Sequence, residues 1–190
     1  MCEFKGLTGQ CGKRNPPGLR AKIYLIPASE LTAQPRTLKE VTPATTVKGA
    51  TKILGEEFEY VTTTGKGFWR EVDVLIDSSS IDISTEGEIG NLSFKNGLNF
   101  VINGTAAEES EFADELLNCC VVAAVQLRAE EAHYKIVGRY DDPAHVEEVT
   151  GGSGLKVGDR NAMAFKLRDF SGEMLPQYPV SLGLTLTPNP

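Results

Sequence analysis

The side chains able to do chemistry are few and scattered. The chain has two histidines, His133 and His145, and four cysteines, Cys2, Cys11, Cys119 and Cys120. Metal sites and hydrolytic centres repeat such residues at short, fixed spacings, because several donors must converge on one point. No C-x-x-C, H-x-x-x-H or H-E-x-x-H run occurs. A metal site joining Cys2 and Cys11 to Cys119 and Cys120 is the alternative that spacing leaves open, with no histidine near either pair. Adjacent cysteines do not bridge each other without severe strain, so reduced thiols are expected. The histidines, one in a predicted strand and one in a loop, are expected to face solvent.

Gly151, Gly152, Ser153, Gly154 and Gly158 suggest a phosphate loop by composition. They match neither phosphate-loop spacing and lack the strand-to-helix setting that presents backbone amides to an anion. Glu108, Glu109, Glu111, Asp114 and Glu115 would be spread by helical spacing around a solvated face, not converged as in a calcium loop. Asp141, Asp142, Glu147 and Glu148 flank Pro143 and His145, an arrangement open to an acid and base pair but expected to be solvated loop charge. Two glycosylation sequons, at Asn91-Leu92-Ser93 and Asn103-Gly104-Thr105, are read as chance matches. The expectation is therefore no catalytic, cofactor-binding or metal-binding residue, and no enzyme.

Composition narrows the class further. The chain has 190 residues, 41% hydrophobic and 24% charged, which suits one folded domain and not a disordered chain. Its 19 Lys and Arg face 26 Asp and Glu, a net charge of −7 that opposes gripping nucleic acid by phosphate neutralisation. No apolar run approaches the roughly 18 residues of a membrane span. The start Met1-Cys2-Glu3-Phe4-Lys5-Gly6 does not read as a secretion signal, so folding in a cytoplasm is expected.

Any site would have to be held by a β framework. Gly6, Gly9, Gly12, Gly18, Pro16 and Pro17 predict an irregular arm over 1–21. Lys22 to Ile26 predicts a buried strand stopped by Pro27, followed by a long loop or irregular edge over 28–50. Phe58 and Tyr60 share one face, as do Val72, Val74 and Ile76, with Gly65 and Gly67 marking a turn between the two strands. Trp69 and Phe68 are expected in the core or at a subunit contact. Residues 77–91 read as a loop. Leu92, Phe94, Leu98, Phe100 and Ile102 then alternate with Ser93, Lys95, Asn99 and Asn103, a strand with one wet face.

Thr105 and Glu108 have capping-box spacing, and Phe112, Ala113, Leu116 and Leu117 form an apolar stripe, predicting a helix over about 105–118. Residues 119–127 and 133–138 predict a hairpin whose first strand is buried on both faces. An exposed loop over 141–161 follows. Met163, Phe165 and Leu167, then Val180, Leu182, Leu184 and Leu186, alternate as two closing strands. The fold class is mainly β: a β-sandwich or barrel of two packed, mostly antiparallel sheets with one flanking helix and long loops. It comprises an arm over 1–21 and a single domain over 22–188.

This order of features resembles that of bacteriophage tail tube proteins, of the type found in phages and prophages of the Bacteroidetes. The resemblance covers about residues 19–188. It rests on Trp69 to Ile76 and Gly87 to Ile102 as strands, and on the acidic helix leading into Leu117 to Val122. It continues through Val137, Gly138 and Arg139, Pro143 and Ala144, the Gly151 to Gly154 turn, and Asp159, Arg160 and Asn161. The resemblance implies a homo-hexameric ring, rings stacked into a hollow tube, and contacts with other tail and neck proteins. It also implies a tape-measure protein in the lumen, DNA passing without specific binding, and a place in the virion tail after assembly in the bacterial host cytoplasm. The arm 1–21 and the loops 28–50 and 77–91 are the segments expected to reach a neighbouring ring.

A net negative wall fits a conduit for a polyanion, since it repels what it carries. Other virion β-sandwiches, such as a tail terminator, a neck protein or a capsid decoration protein, share this profile. A carbohydrate-binding module is disfavoured by an aromatic content of 7% with one Trp.

Overall fold

The computed structural model describes residues 17–37, 53, 56–61, 67–153, 161–171 and 174–186. The strands are β1 (Leu19–Pro27), β2 (Leu31–Ala33), β3 (Glu59–Tyr60), β4 (Arg70–Asp73), β5 (Ser80–Glu88) and β6 (Asn91–Asn103). Helix α1 (Ala107–Leu117) follows, then β7 (Val121–Leu127), β8 (His133–Val137), β9 (His145–Gly152), β10 (Ala162–Ser171) and β11 (Gln177–Pro179). A five-stranded sheet has the order β11-β8-β7-β1-β4, and a four-stranded sheet the order β5-β6-β10-β9; β2 and β3 form a small ribbon. All strand pairs within these sheets are antiparallel. The expected β-sandwich with one flanking helix is the architecture found.

Alternation explains how two cores fit one chain. Along β1 and β7, Ile23, Leu25, Val121, Ala123 and Val125 point into a core between the two sheets, where they meet Leu98, Phe100, Phe165 and Leu167. The intervening Ile26, Val122 and Ala124 point the other way, into a second core with Leu31, Phe58, Trp69 and Tyr178. A strand buried on both faces needs an unbroken apolar run, and Val121 to Val125 is one, each residue 2% exposed or less. In the second core Trp69 donates its indole N–H to Tyr60 Oη at 2.9 Å, which satisfies the polar edge of a fully buried ring.

Several segments differ from their sequence reading. Residues 80–88, within the expected loop 77–91, form β5, hydrogen-bonded along its length to β6. Residues 145–152, within the expected loop 141–161, form β9 against β10; residues 154–160 lie outside the described residues. Both strands are wet on most positions, so burial imposes no apolar period on them. Conversely, Val180 to Leu182 is a turn of 3-10 helix and Leu186 makes a single bridge to Trp69, where a strand was expected. Gly183, at φ 71, turns the chain there. The capping box does not form either: the N-cap is Ala106, and Thr105 Oγ1 donates instead to Asn161 Oδ1 at 2.7 Å. Strand β1 begins at Leu19, inside the expected arm, whose residues 1–16 lie outside the described residues, as do 38–50 of the expected 28–50 loop and Gly65 of the expected turn.

A polar junction ties the sheets together. Asp169 on β10 is 3% exposed and accepts hydrogen bonds from the Gly138 amide at 2.6 Å and from Asn96 Nδ2 at 3.1 Å. Gly138, at φ 82, lies against the paired backbones of Val121 and Ala144, whose amides and carbonyls exchange hydrogen bonds at 2.9 Å. A Cβ on Gly138 would fall 2.6 Å from Ala144 N and 2.8 Å from Val121 O. Gly138→Ala is therefore expected to cost about 3 kcal/mol or more, through backbone clash and positive φ. Asp169→Ala, which strands a buried amide, is expected to cost about 2–3 kcal/mol. Urea unfolding of each variant checks both, with Ser84→Ala at an exposed position as the near-neutral reference.

A second buried carboxylate, Glu30, accepts from the Gly67 amide at 3.0 Å and pairs with Arg70 at 2.8 Å. Burial pushes its pKa up, but the Arg70 and Gly67 contacts outweigh that and hold it below its ordinary value. A folded-state pKa below the unfolded one contributes stability that is present above the ordinary value of 4.5 and lost as pH falls through the folded value. Wild type is thus expected to lose more stability between neutral and acid pH than Glu30→Gln, measured by thermal melts across that range.

Candidate assembly surface

The four-stranded sheet turns its apolar side to the core and leaves the opposite face polar. Cross-strand partners share a face, and the register places Asp82, Glu86 and Glu88 of β5, Lys95 of β6, and Lys166 and Arg168 of β10 together on the outer side. Strand β9 adds Glu148 beside Lys166. Its register shifts between Lys166 and Leu167, leaving Glu147 as the extra residue of a β-bulge. Glu147 reaches Arg168 Nε at 2.9 Å and Lys95 Nζ at 3.5 Å. Five carboxylates thus face three cations, a net acidic surface.

Arg168 is the centre of this face. It donates to Asn99 Oδ1 at 3.3 Å, lies 3.8 Å from Asp82, and passes directly over Gly97. A Cβ on Gly97 would sit 1.7 Å from Arg168 Nη1, so this glycine is what lets the guanidinium lie flat on the strand. Lys95 stands 5.2 Å from the ring centre of the exposed Phe170, a cation–π contact.

The β5–β6 hairpin extends this sheet past the core. Ile81, Leu98 and Phe100 on its inner side are covered, but further out Ile83 is 42% exposed, Leu92 58% and Ile89, in the turn, 103%. Leu92 was expected on the buried face; the strand simply outruns the sheet that would cover it. At the other end of the sandwich, an apolar cleft of about 410 Å³ opens beneath α1, between Leu25, Phe112, Leu116 and Val121.

Chemistry-bearing residues are dispersed. His133 is half-buried, not solvent-facing as expected, and pairs with Glu130 at 3.0 Å while Glu130 also holds Lys135 at 2.9 Å. His145 is exposed, with Nδ1 3.5 Å from Cys120 Sγ. Cys119 and Cys120 are free thiols, and Cys2 and Cys11 lie outside the described residues. Glu108, Glu111, Asp114 and Glu115 are exposed on α1 and Glu109 is half-buried. Asp141 pairs with Arg139 at 3.0 Å, Asp142 is exposed, and Glu147 and Glu148 belong to the outer-face network of strand β9. Gly151 and Gly152 end strand β9; Gly154 and Gly158 lie outside the described residues. Among the described residues no three His, Cys, Asp or Glu converge as metal ligands. No helix among them is long and apolar enough to cross a membrane.

No family model, curated protein or solved structure matches this chain. Its own geometry is therefore what speaks to function.

Sequence reasoning passed over Asn96, Asp169, Gly97, Arg168 and Ile89. Asn96 had a signal: it falls at a core position of the 92–102 alternation, where a polar residue demands a buried partner. Because their side chains are exposed, Ile89→Ser and Leu92→Ser are expected to change stability by no more than about 0.5 kcal/mol. Phe100→Ala, in the core, is expected to cost about 3–5 kcal/mol, with denaturant titrations as the measurement.

Proposed function

We propose that this chain is the subunit of a hollow tube, a phage tail tube protein whose copies join edge to edge into rings. The observation that carries the reading is the four-stranded sheet, with one polar, net acidic face and two edges, β5 and β9, each paired on one side only among the described strands. Its strands alternate in direction and are even in number. An edge β9 therefore meets the edge β5 of a like-oriented copy antiparallel, and the sheet continues without a change of pattern. The two edges differ in sequence, so the contact is heterologous, and a heterologous contact closes into a ring when its rotation allows.

Closure also removes a liability. An open edge is a template for uncontrolled pairing, and a ring has no free edge. With the polar face turned inward, the lumen carries more carboxylates than cations, which lets DNA pass without adhering. The hexameric ring, the tape-measure protein in the lumen, the neck and tail partners and the place in the virion follow from the resemblance to tail tube proteins.

Negative-stain electron microscopy of the concentrated protein, with sedimentation velocity on the same sample, tests this. Rings or tubes with a stain-filled centre are the expected outcome. A uniform monomer at all concentrations overturns the reading.

A further inference from the structure

We infer that Cys120 and His145 form a thiol–imidazole pair, a modification site at which the Cys120 sulfur exchanges with small disulfides and takes up a mixed-disulfide adduct. The inference does not rest on the assembly reading above. Cys120 Sγ lies 3.5 Å from His145 Nδ1, within hydrogen-bond reach of a sulfur, and both residues are exposed. Nδ1 accepts from a thiol when the ring carries its own proton on Nε2. His133 is tied to the carboxylate of Glu130 at 3.0 Å, whereas the ring of His145 addresses a sulfur.

Backbone places the pair. Val121 and Ala144 exchange hydrogen bonds at 2.9 Å as an antiparallel bridge. One residue further along such a pair, the two chains face each other without backbone bonds and come closer, with Cα atoms about 4.5 Å apart. Those two residues are Cys120 and His145. Val121 and Ala144 point into the core, 2% and 0% exposed, so their neighbours turn outward. Each is also held from its far side: Cys120 O accepts from the Ala28 amide at 2.8 Å, and His145 pairs with Arg168 in the β9–β10 ladder. The Arg168 side chain extends over Gly97 of β6, which leaves the thiol as the group beside the ring.

The step balances with the disulfide as sole co-reactant. His145 Nδ1 takes the Cys120 proton, the thiolate attacks one sulfur of the disulfide, a new S–S bond forms and the old one breaks. The departing thiolate recovers the proton from the imidazolium, so the Cys120 sulfur is oxidised and the leaving sulfur reduced. Helix α1 ends at Leu117, and its C-terminal dipole opposes a thiolate, but that influence fades within a turn while the imidazole is in contact. A free thiol is only about 3% thiolate at pH 7, so a base that ionises it raises the rate by about 30-fold at most. Lowered nucleophilicity takes part of that back, which leaves a gain of about tenfold. Cys119 is the internal comparison, half-buried in the lining of the cleft under α1.

The test follows the reaction of the full chain, carrying Cys2→Ser and Cys11→Ser, with 4,4′-dithiodipyridine at pH 7. This disulfide is neutral, so the acidic surface neither attracts nor repels it. Two phases are expected, the faster by about tenfold, lost in Cys120→Ser and kept in Cys119→Ser. His145→Gln, which keeps a polar side chain but removes the base, is expected to slow the Cys120 phase about tenfold. Were His145 only a cover over the sulfur, replacing it would leave the rate unchanged or raise it, and either result overturns the inference. A faster phase that belongs to Cys119, or equal rates at the two thiols, overturns it as well. An unchanged thermal melt shows that His145→Gln is folded, and His145→Ala repeats the comparison should that melt fall.

Discussion

The structure hangs on the place where its two sheets touch through backbone and not only through side chains. Val121 begins the central strand of one sheet, Ala144 immediately precedes the edge strand of the other, and their mutual hydrogen bonds leave no room for a side chain at Gly138. Asp169 completes the joint by taking the Gly138 amide, so a carboxylate buried at some desolvation cost is satisfied by two donors. Apolar packing tolerates small slides of one sheet over another. Directed hydrogen bonds at one corner do not, and they fix the alignment in which Phe100 stacks on Phe165 and Phe112 meets Phe165 edge-on.

That alignment gives the chain two cores, one on each side of the larger sheet. The five-stranded sheet is covered on both sides, by the four-stranded sheet on one and by the cluster around Trp69 and Tyr178 on the other. Among the described residues the polar face of the smaller sheet, its two edges, the projecting hairpin and the cleft by the helix lie outside these two cores. The outer-face ion network then serves order more than stability, because exposed pairs contribute little each. It keeps Arg168 flat and the strands in register.

Where burial was one-sided or complete, the sequence announced it. The alternation of Leu98, Phe100 and Ile102, the unbroken run from Val121 to Val125 and the Phe112 to Leu116 stripe each have a burial period that a reader can count. Strands β5 and β9 were invisible for the same reason in reverse. With Thr, Glu and Gly exposed along both, their conformation comes from the ladders they form with the strands that follow them, β6 and β10, and not from burial of an apolar face. Val180 to Leu186 showed the opposite failure, a strand-like alternation in which Leu182 packs on the second core from a 3-10 turn and Leu184 from irregular backbone. The outer face of the smaller sheet was foreshadowed by the net negative charge of the chain, but its layout was not legible. Gly97 gains meaning only when Arg168 lies across it, and Glu147 only when a bulge turns it outward.

Strand β6 has a mechanical consequence. Its pairing with β10 runs over ten residues and with β5 over nine, without a register break in either ladder. A force pulling its ends apart loads both ladders in shear, so many hydrogen bonds must yield together; peeled from one end, they would break in succession. The strand is thus a stiff tie rod between the hairpin and the helix, and tension applied at one pole arrives at the other with little stretch.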